Sequence, residues 1–109
     1  MLTVNLRYTG ANGSARAFVC EMTDTGTVAA IRAEPGNIRY EYYQSIEDPE
    51  TVLLIDSWRD QAAIDAHHAS PMMAVIAALR EKYDLHMKAE RFLSDETGLP
   101  EKDMQFIKR

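Results

Sequence analysis

Two adjacent histidines, His67 and His68, follow nine and ten residues after the single tryptophan, Trp58, and Ser70-Pro71 comes directly after them. Upstream lies a tyrosine-rich run, Ile38-Arg39-Tyr40-Glu41-Tyr42-Tyr43. An imidazole titrates near ~6.5, so it accepts a proton at neutral pH, and aromatic faces suit a flat organic ring. The combination predicts a small-molecule site with His67 as base. Asn5, a polar residue in a strand pattern that disfavours its type, is expected to offer an amide to a substrate oxygen or a bound peroxide. Trp58, Tyr40, Tyr42, His68 and Met72 are the expected substrate wall, and Asp56, on the same strand face as Trp58, is expected to act outside it as an acceptor or ion-pair partner. Neighbouring histidines on a helix diverge by about 100°, and His86 has no evident partner, so no metal site is expected.

The elements that must carry these residues are read from periodicity. Leu2, Val4, Leu6 and Tyr8 alternate with Thr3, Asn5 and Arg7, which is a strand. Ser14 reads as the N-cap of a helix carrying Phe18, Val19 and Met22. Thr23 to Thr27 predicts a break, with helix resuming through Val28 and Ile31 until Pro35-Gly36. A strand over about 37–46 puts Ile38, Tyr40 and Tyr42 on one side. Residues 47–50 read as a hairpin connection, and 51–58 as an apolar strand covered on both faces. Asp60 is expected to cap a short helix through His68. Ser70 and Pro71 are expected to open another, with Met72, Val75, Ile76, Leu79 and Tyr83 facing the sheet. Alternation over 85–93 gives a last strand.

Strand, helix, strand, strand, helix, strand is the split βαββαβ order of an α+β ferredoxin-like domain with a four-stranded antiparallel sheet. The expected organisation is one domain over 1–94, then a C-terminal arm or short helix over 95–109. Helices cover one sheet face only. The Leu2-Val4-Leu6 row is assigned to the other, and leaving it wet would forfeit several kcal/mol at ~25 cal/mol per Å². A homodimer packed sheet to sheet is therefore expected.

Composition narrows the classes. The 109 residues carry 17 acidic and 12 basic side chains, a net charge of −5, without a basic stripe. Nucleic-acid binding lacks its electrostatic driving force. One cysteine, Cys20, forms no internal disulfide, Met1 runs straight into a strand pattern, and no apolar run approaches the ~18 residues of a membrane span. A cytoplasmic chain without membrane contact is the expectation.

Three pieces resemble the antibiotic biosynthesis monooxygenase domain, a branch of the dimeric α+β barrel proteins: Glu34-Pro35-Gly36-Asn37-Ile38-Arg39-Tyr40, Asp56-Ser57-Trp58, and His67 with Ser70-Pro71 at their spacing from Trp58. The strand with Asn5 also fits, and the likeness spans roughly residues 1–93. It is nearest to proteins described as quinol monooxygenases. The resemblance implies a dimer with one pocket per subunit between sheet and helices, and cofactor-free oxygenation of a quinol or other electron-rich hydroxy-aromatic by dioxygen. It also brings two alternatives, a small phosphosugar isomerase using Arg7 or Arg39, and a non-catalytic dimeric binding module for an aromatic metabolite. The haem-degrading branch matches at Asn5. Its tryptophan and haem-ligating histidine fall at His67 and Ala77, which sets that activity aside.

Overall fold

A computed structural model of the chain describes residues 1–108. Strand β1 (Leu2–Thr9) leads into helices α1 (Ser14–Asp24) and α2 (Thr27–Arg32). Strands β2 (Asn37–Gln44) and β3 (Thr51–Trp58) follow, then α3 (Gln61–His68), α4 (Met72–Lys82), β4 (His86–Leu93) and a single turn, α5 (Glu101–Met104). The sheet order is β2-β3-β1-β4, with every neighbouring pair antiparallel. This is the four-stranded α+β arrangement that the sequence pattern predicts.

The predicted break after α1 occurs where threonine hydroxyls turn back on the helix. Thr23 donates to the Val19 carbonyl and Thr25 to that of Glu21, both at 2.8 Å, before Gly26 enters the left-handed region at φ 81°. Two helix starts differ from expectation. Gly13, at φ 79°, occupies the cap position of α1, and the Ser14 hydroxyl instead accepts from the Ala11 N–H. At α4 the cap is Pro71, and the Ser70 hydroxyl is buried without a partner. Asp60 caps α3 as expected, accepting from the Ala63 N–H at 2.9 Å.

Register corrects the assignment of faces. Leu2, Leu6 and Tyr8 pair with Trp58, Leu54 and Val52, and they pack with Phe18, Met22, Ile31 and Ile76 beneath the helices. The Leu2-Val4-Leu6 row is thus the helix-facing set and not the open one. Burial of the bulkiest side chains decides this, because the helices offer the one thick apolar layer within the chain. The open face carries Thr3, Asn5, Arg7, Leu53, Ile55, Arg39, Glu41 and Tyr43. Leu53 and Ile55 are only half-buried, so the middle of the second face of β3 is not covered by this chain. In β2 a register shift between Asn37 and Arg39 throws Ile38 outward at 54% exposure, separating it from Tyr40 and Tyr42. Val75, expected against the sheet, is exposed as well.

Candidate functional site

Trp58 ends β3 on the helix-facing side, and the Asp60 cap starts α3 two residues later. The chain therefore doubles back over the strand end. Ala63, Ile64 and His67 form the buried stripe of α3 at three- and four-residue spacing. The His67 ring stacks on Trp58 with centroids 4.7 Å apart and planes inclined by 27°. His68, one step round the helix, is exposed, with its ring 5.7 Å from that of His67.

The Nδ1 of His67 lies 2.6 Å from Glu34 Oε2. Glu34 sits in the turn between α2 and β2, directly before Pro35-Gly36. A carboxylate only accepts, so Nδ1 carries the proton and Nε2 keeps the lone pair of the neutral ring. Burial holds the imidazole below its ordinary pKa, outweighing the opposing pull of the Glu34 carboxylate.

A second polar group lies beneath the helices. Trp58 donates its indole N–H to Asp56 Oδ1 at 2.6 Å. Burial pushes the Asp56 carboxyl up to about 6, the indole hydrogen bond offsetting part of that rise. Arg80 of α4 donates to the Tyr8 hydroxyl through Nη2 at 2.7 Å and Nε at 3.2 Å. Tyr42 donates to Tyr40 at 3.5 Å with the rings edge to face. Burial raises the phenols of Tyr8, Tyr40 and Tyr42 above their ordinary value, so all three stay protonated at neutral pH. The result is a set of separate polar pairs under an apolar roof: His67 with Glu34, Trp58 with Asp56, Arg80 with Tyr8 and Tyr42 with Tyr40. Met72 is half-buried and packs on the same core.

His67, Trp58, Tyr40 and Tyr42 thus lie on one side of the sheet, as Asp56 does. Asn5 does not join them. It pairs with Ile55 and Glu90 on the open face, and its amide oxygen is buried without a partner. The expectation that Asn5 and His67 look into one hollow is overturned in this chain, because strand alternation sends position 5 to the face opposite Trp58. Arg7 and Arg39 are on that open face too, the latter 3.6 Å from Glu41. Three residues of the cluster were not anticipated: Glu34, Arg80 and the phenol of Tyr8. Arg80 had a legible signal, a cation four residues after Ile76 on the apolar stripe of α4. Glu34 was visible only as the first residue of the Glu34-Pro35-Gly36 turn piece, and its contact, spanning 33 residues of chain, was not.

Surface clefts of about 270, 300 and 340 Å³ occur at the α1–β2 edge, at the β1–β4 end and along β2, and His67 lines none of them. Among the described residues no group of three or more His, Cys, Asp or Glu is gathered to hold a metal ion, and no helix is long and apolar enough to cross a membrane.

The family model for antibiotic biosynthesis monooxygenase matches residues 1–79. No curated protein matches the chain. Among solved structures, one from Deinococcus radiodurans, provisionally assigned as an antibiotic biosynthesis monooxygenase, superposes with a TM-score of 0.76 at 16% identity, covering 87% of this chain and 93% of its own. SnoaB of Streptomyces nogalater, a cofactor-independent oxygenase, gives 0.72 at 22% identity over 92% and 97%. Both are likenesses of fold. A Pseudomonas aeruginosa protein is similar at 29% identity and a TM-score of 0.73 over 85% and 92%. With the family pattern running through β1, the Trp58 strand end, His67 and most of α4, the chain belongs to the antibiotic biosynthesis monooxygenase family.

Proposed function

We propose that the protein is a cofactor-independent monooxygenase acting on a quinol or a related electron-rich hydroxy-aromatic, and that it works as a homodimer. The observation that carries the reading is the buried Glu34–His67–Trp58 arrangement. It supplies a neutral imidazole of fixed tautomer, a carboxylate to stabilise the imidazolium once formed, and an aromatic face beside both.

Ground-state dioxygen is a triplet and reacts slowly with closed-shell molecules, whereas a phenolate gives up an electron readily. His67 Nε2 removes a phenolic proton, and the anion passes one electron to dioxygen. The radical pair then combines at a ring carbon, and the resulting hydroperoxide loses water. For a 1,4-quinol the balance is quinol plus dioxygen to hydroxyquinone plus water, one oxygen atom entering the ring and the other leaving as water. His67 is 4% exposed, so a ring reaches it only as the α3–α4 junction yields, and Met72 and Met73 give that wall adaptable side chains. The homodimer is supported by the half-buried Leu53 and Ile55, the exposed Phe92 and the unpartnered Asn5 amide oxygen on the open face.

The test is oxygen uptake by metal-free protein with a reduced naphthoquinone. His67→Ala is expected to lower turnover about 10²- to 10⁴-fold, the range for a lost general base, and Glu34→Gln to lower it less. A His67→Ala protein that turns over as fast as the parent rejects the mechanism. Ligand-induced thermal stabilisation without oxygen uptake would make the chain a binding module instead.

A further inference from the structure

We propose that the cleft between α1 and the β2 edge is a second binding site, one that takes a small aromatic carboxylate of one or two rings. Arg16 pairs with the carboxylate, and the ring lies against Tyr42, Val19 and Val52. The site is separate from the His67 arrangement and goes beyond the oxygenase reading.

The walls come from two elements that meet without closing. On α1, Arg16, Val19 and Cys20 stand at three- and four-residue spacing and share a flank beside the buried stripe of Ala15, Phe18 and Met22. On the sheet, Tyr42 and Gln44 pair with Leu54 and Val52, the helix-facing residues of β3. Arg32 of α2 covers the first half of β2 by donating to the Tyr40 carbonyl through Nη2 at 2.7 Å and Nε at 2.9 Å. Beyond that point the edge is left to α1, and a cleft of about 270 Å³ remains between Arg16, Val19, Cys20, Tyr42, Tyr43 and Val52. Only Tyr43 reaches it from the open side of the sheet, so the cleft stays clear of the face assigned to the homodimer. Leu54, opposite Tyr42, lies four residues before Trp58, which sets the cleft about 13 Å along the strand from the indole under His67.

Size and stiffness point to a ring. The volume falls just under the ~300–1,000 Å³ of sites for drug-sized molecules, which suits one or two fused rings. Tyr42 stands perpendicular to Phe18 at 6.2 Å and to Tyr40 at 5.7 Å between centroids, so its position is fixed. It is only half-buried, and part of its ring is left for a ligand. Gln44 is fixed too, its amide nitrogen donating to the Thr51 carbonyl at 2.8 Å and to that of Pro49 at 3.2 Å. Walls already in place cost a ligand little ordering on binding.

Charge selects an acid. Arg16 has no ion-pair partner among the described residues, and the positions one turn away on its helix face, Asn12, Gly13, Val19 and Cys20, include no acid. Its guanidinium is therefore available at the mouth of the cleft. A carboxylate meets a guanidinium through two parallel N–H···O bonds, which fixes the direction of whatever ring it carries. An aliphatic acid leaves the aromatic wall unused, and a neutral ring leaves Arg16 unpaired.

The test uses the full chain and naphthoate, which carries no phenol to oxidise, so binding is read without turnover. Calorimetric titration is expected to show a naphthoate site that Arg16→Gln weakens about tenfold or more. Alkylation of the exposed Cys20 by iodoacetamide is expected to slow as the cleft fills. Cys20→Trp, a change at an exposed position that fills the cleft, is expected to abolish binding while the melting temperature holds. Absence of binding overturns the proposal. So does binding that Arg16→Gln and Cys20→Trp both leave unchanged, or that leaves Cys20 alkylation unaltered, since the ligand then lies elsewhere. Naphthol binding as tightly as naphthoate, or inorganic phosphate displacing naphthoate at equal concentration, also overturns it, the first by removing the acid and the second by removing the ring. None of these outcomes touches oxygen uptake, so the oxygenase reading stands or falls separately.

Discussion

Asp56 and His67 sit within one cluster and pull stability in opposite directions with pH. Below the ordinary carboxylate pKa of 3.8, Asp56 is protonated whether the chain is folded or not. As pH rises toward about 6 the unfolded chain loses that proton first, so folding is penalised by about 3 kcal/mol once both states are ionised. Asp56→Asn keeps an acceptor for the Trp58 indole and removes the penalty. Denaturant melts should find this variant more stable than the parent above pH 6 and near parity at pH 4, and curves that stay parallel would contradict the buried-carboxyl account. For His67 the sign is reversed. Its pKa is lowered, so it costs nothing above about 6.5 and weakens the fold as pH falls below that. At this level the sequence exposed the imidazole and the indole by their type and spacing. It did not expose Glu34, because nothing local marks an acid that will close on a histidine from another element.

Among the elements, the turn before β2 decides where α3 lies. Gly36 has φ 84°, its carbonyl accepts from the Arg59 N–H at 2.8 Å, and a Cβ placed on it would stand 2.5 Å from the Ala63 side chain. Gly36→Ala is strained by its backbone angle and displaces α3, the helix that holds His67 against Glu34. A loss of about 1–3 kcal/mol is expected, with lower oxygen uptake even where the protein remains folded. A melting temperature equal to the parent's would show that the turn tolerates a side chain. Alternation and breaker residues located the strands and helices well, since these are local properties. They misplaced two caps by one position: Gly13, in a left-handed conformation, stands before Ser14, and Pro71 takes the place assigned to Ser70. They also missed the β2 irregularity at Ile38, which depends on pairing with β3.

For the whole molecule, the sheet has one face under helices and one without cover. Ile55 is half-buried in the middle of the open face, beside Asn5. On the proposed homodimer, Ile55→Glu is expected to weaken self-association by at least tenfold while leaving the helix-side core and its melting temperature nearly intact, as measured by sedimentation and calorimetry. An unchanged association constant would place the interface elsewhere. The amino-acid order alone established the succession of strands and helices, the two sides of each strand except at Ile38 of β2, and the likeness to the family. These follow from side-chain alternation, helical spacing and short motifs, all of which are properties of neighbouring residues. Which side of the sheet lies inside was settled only by folding. Burying Tyr8, Phe18, Trp58 and Met22 together turns Leu2 inward and Asn5 outward, and that competition among distant residues for one apolar volume is not written in any local pattern.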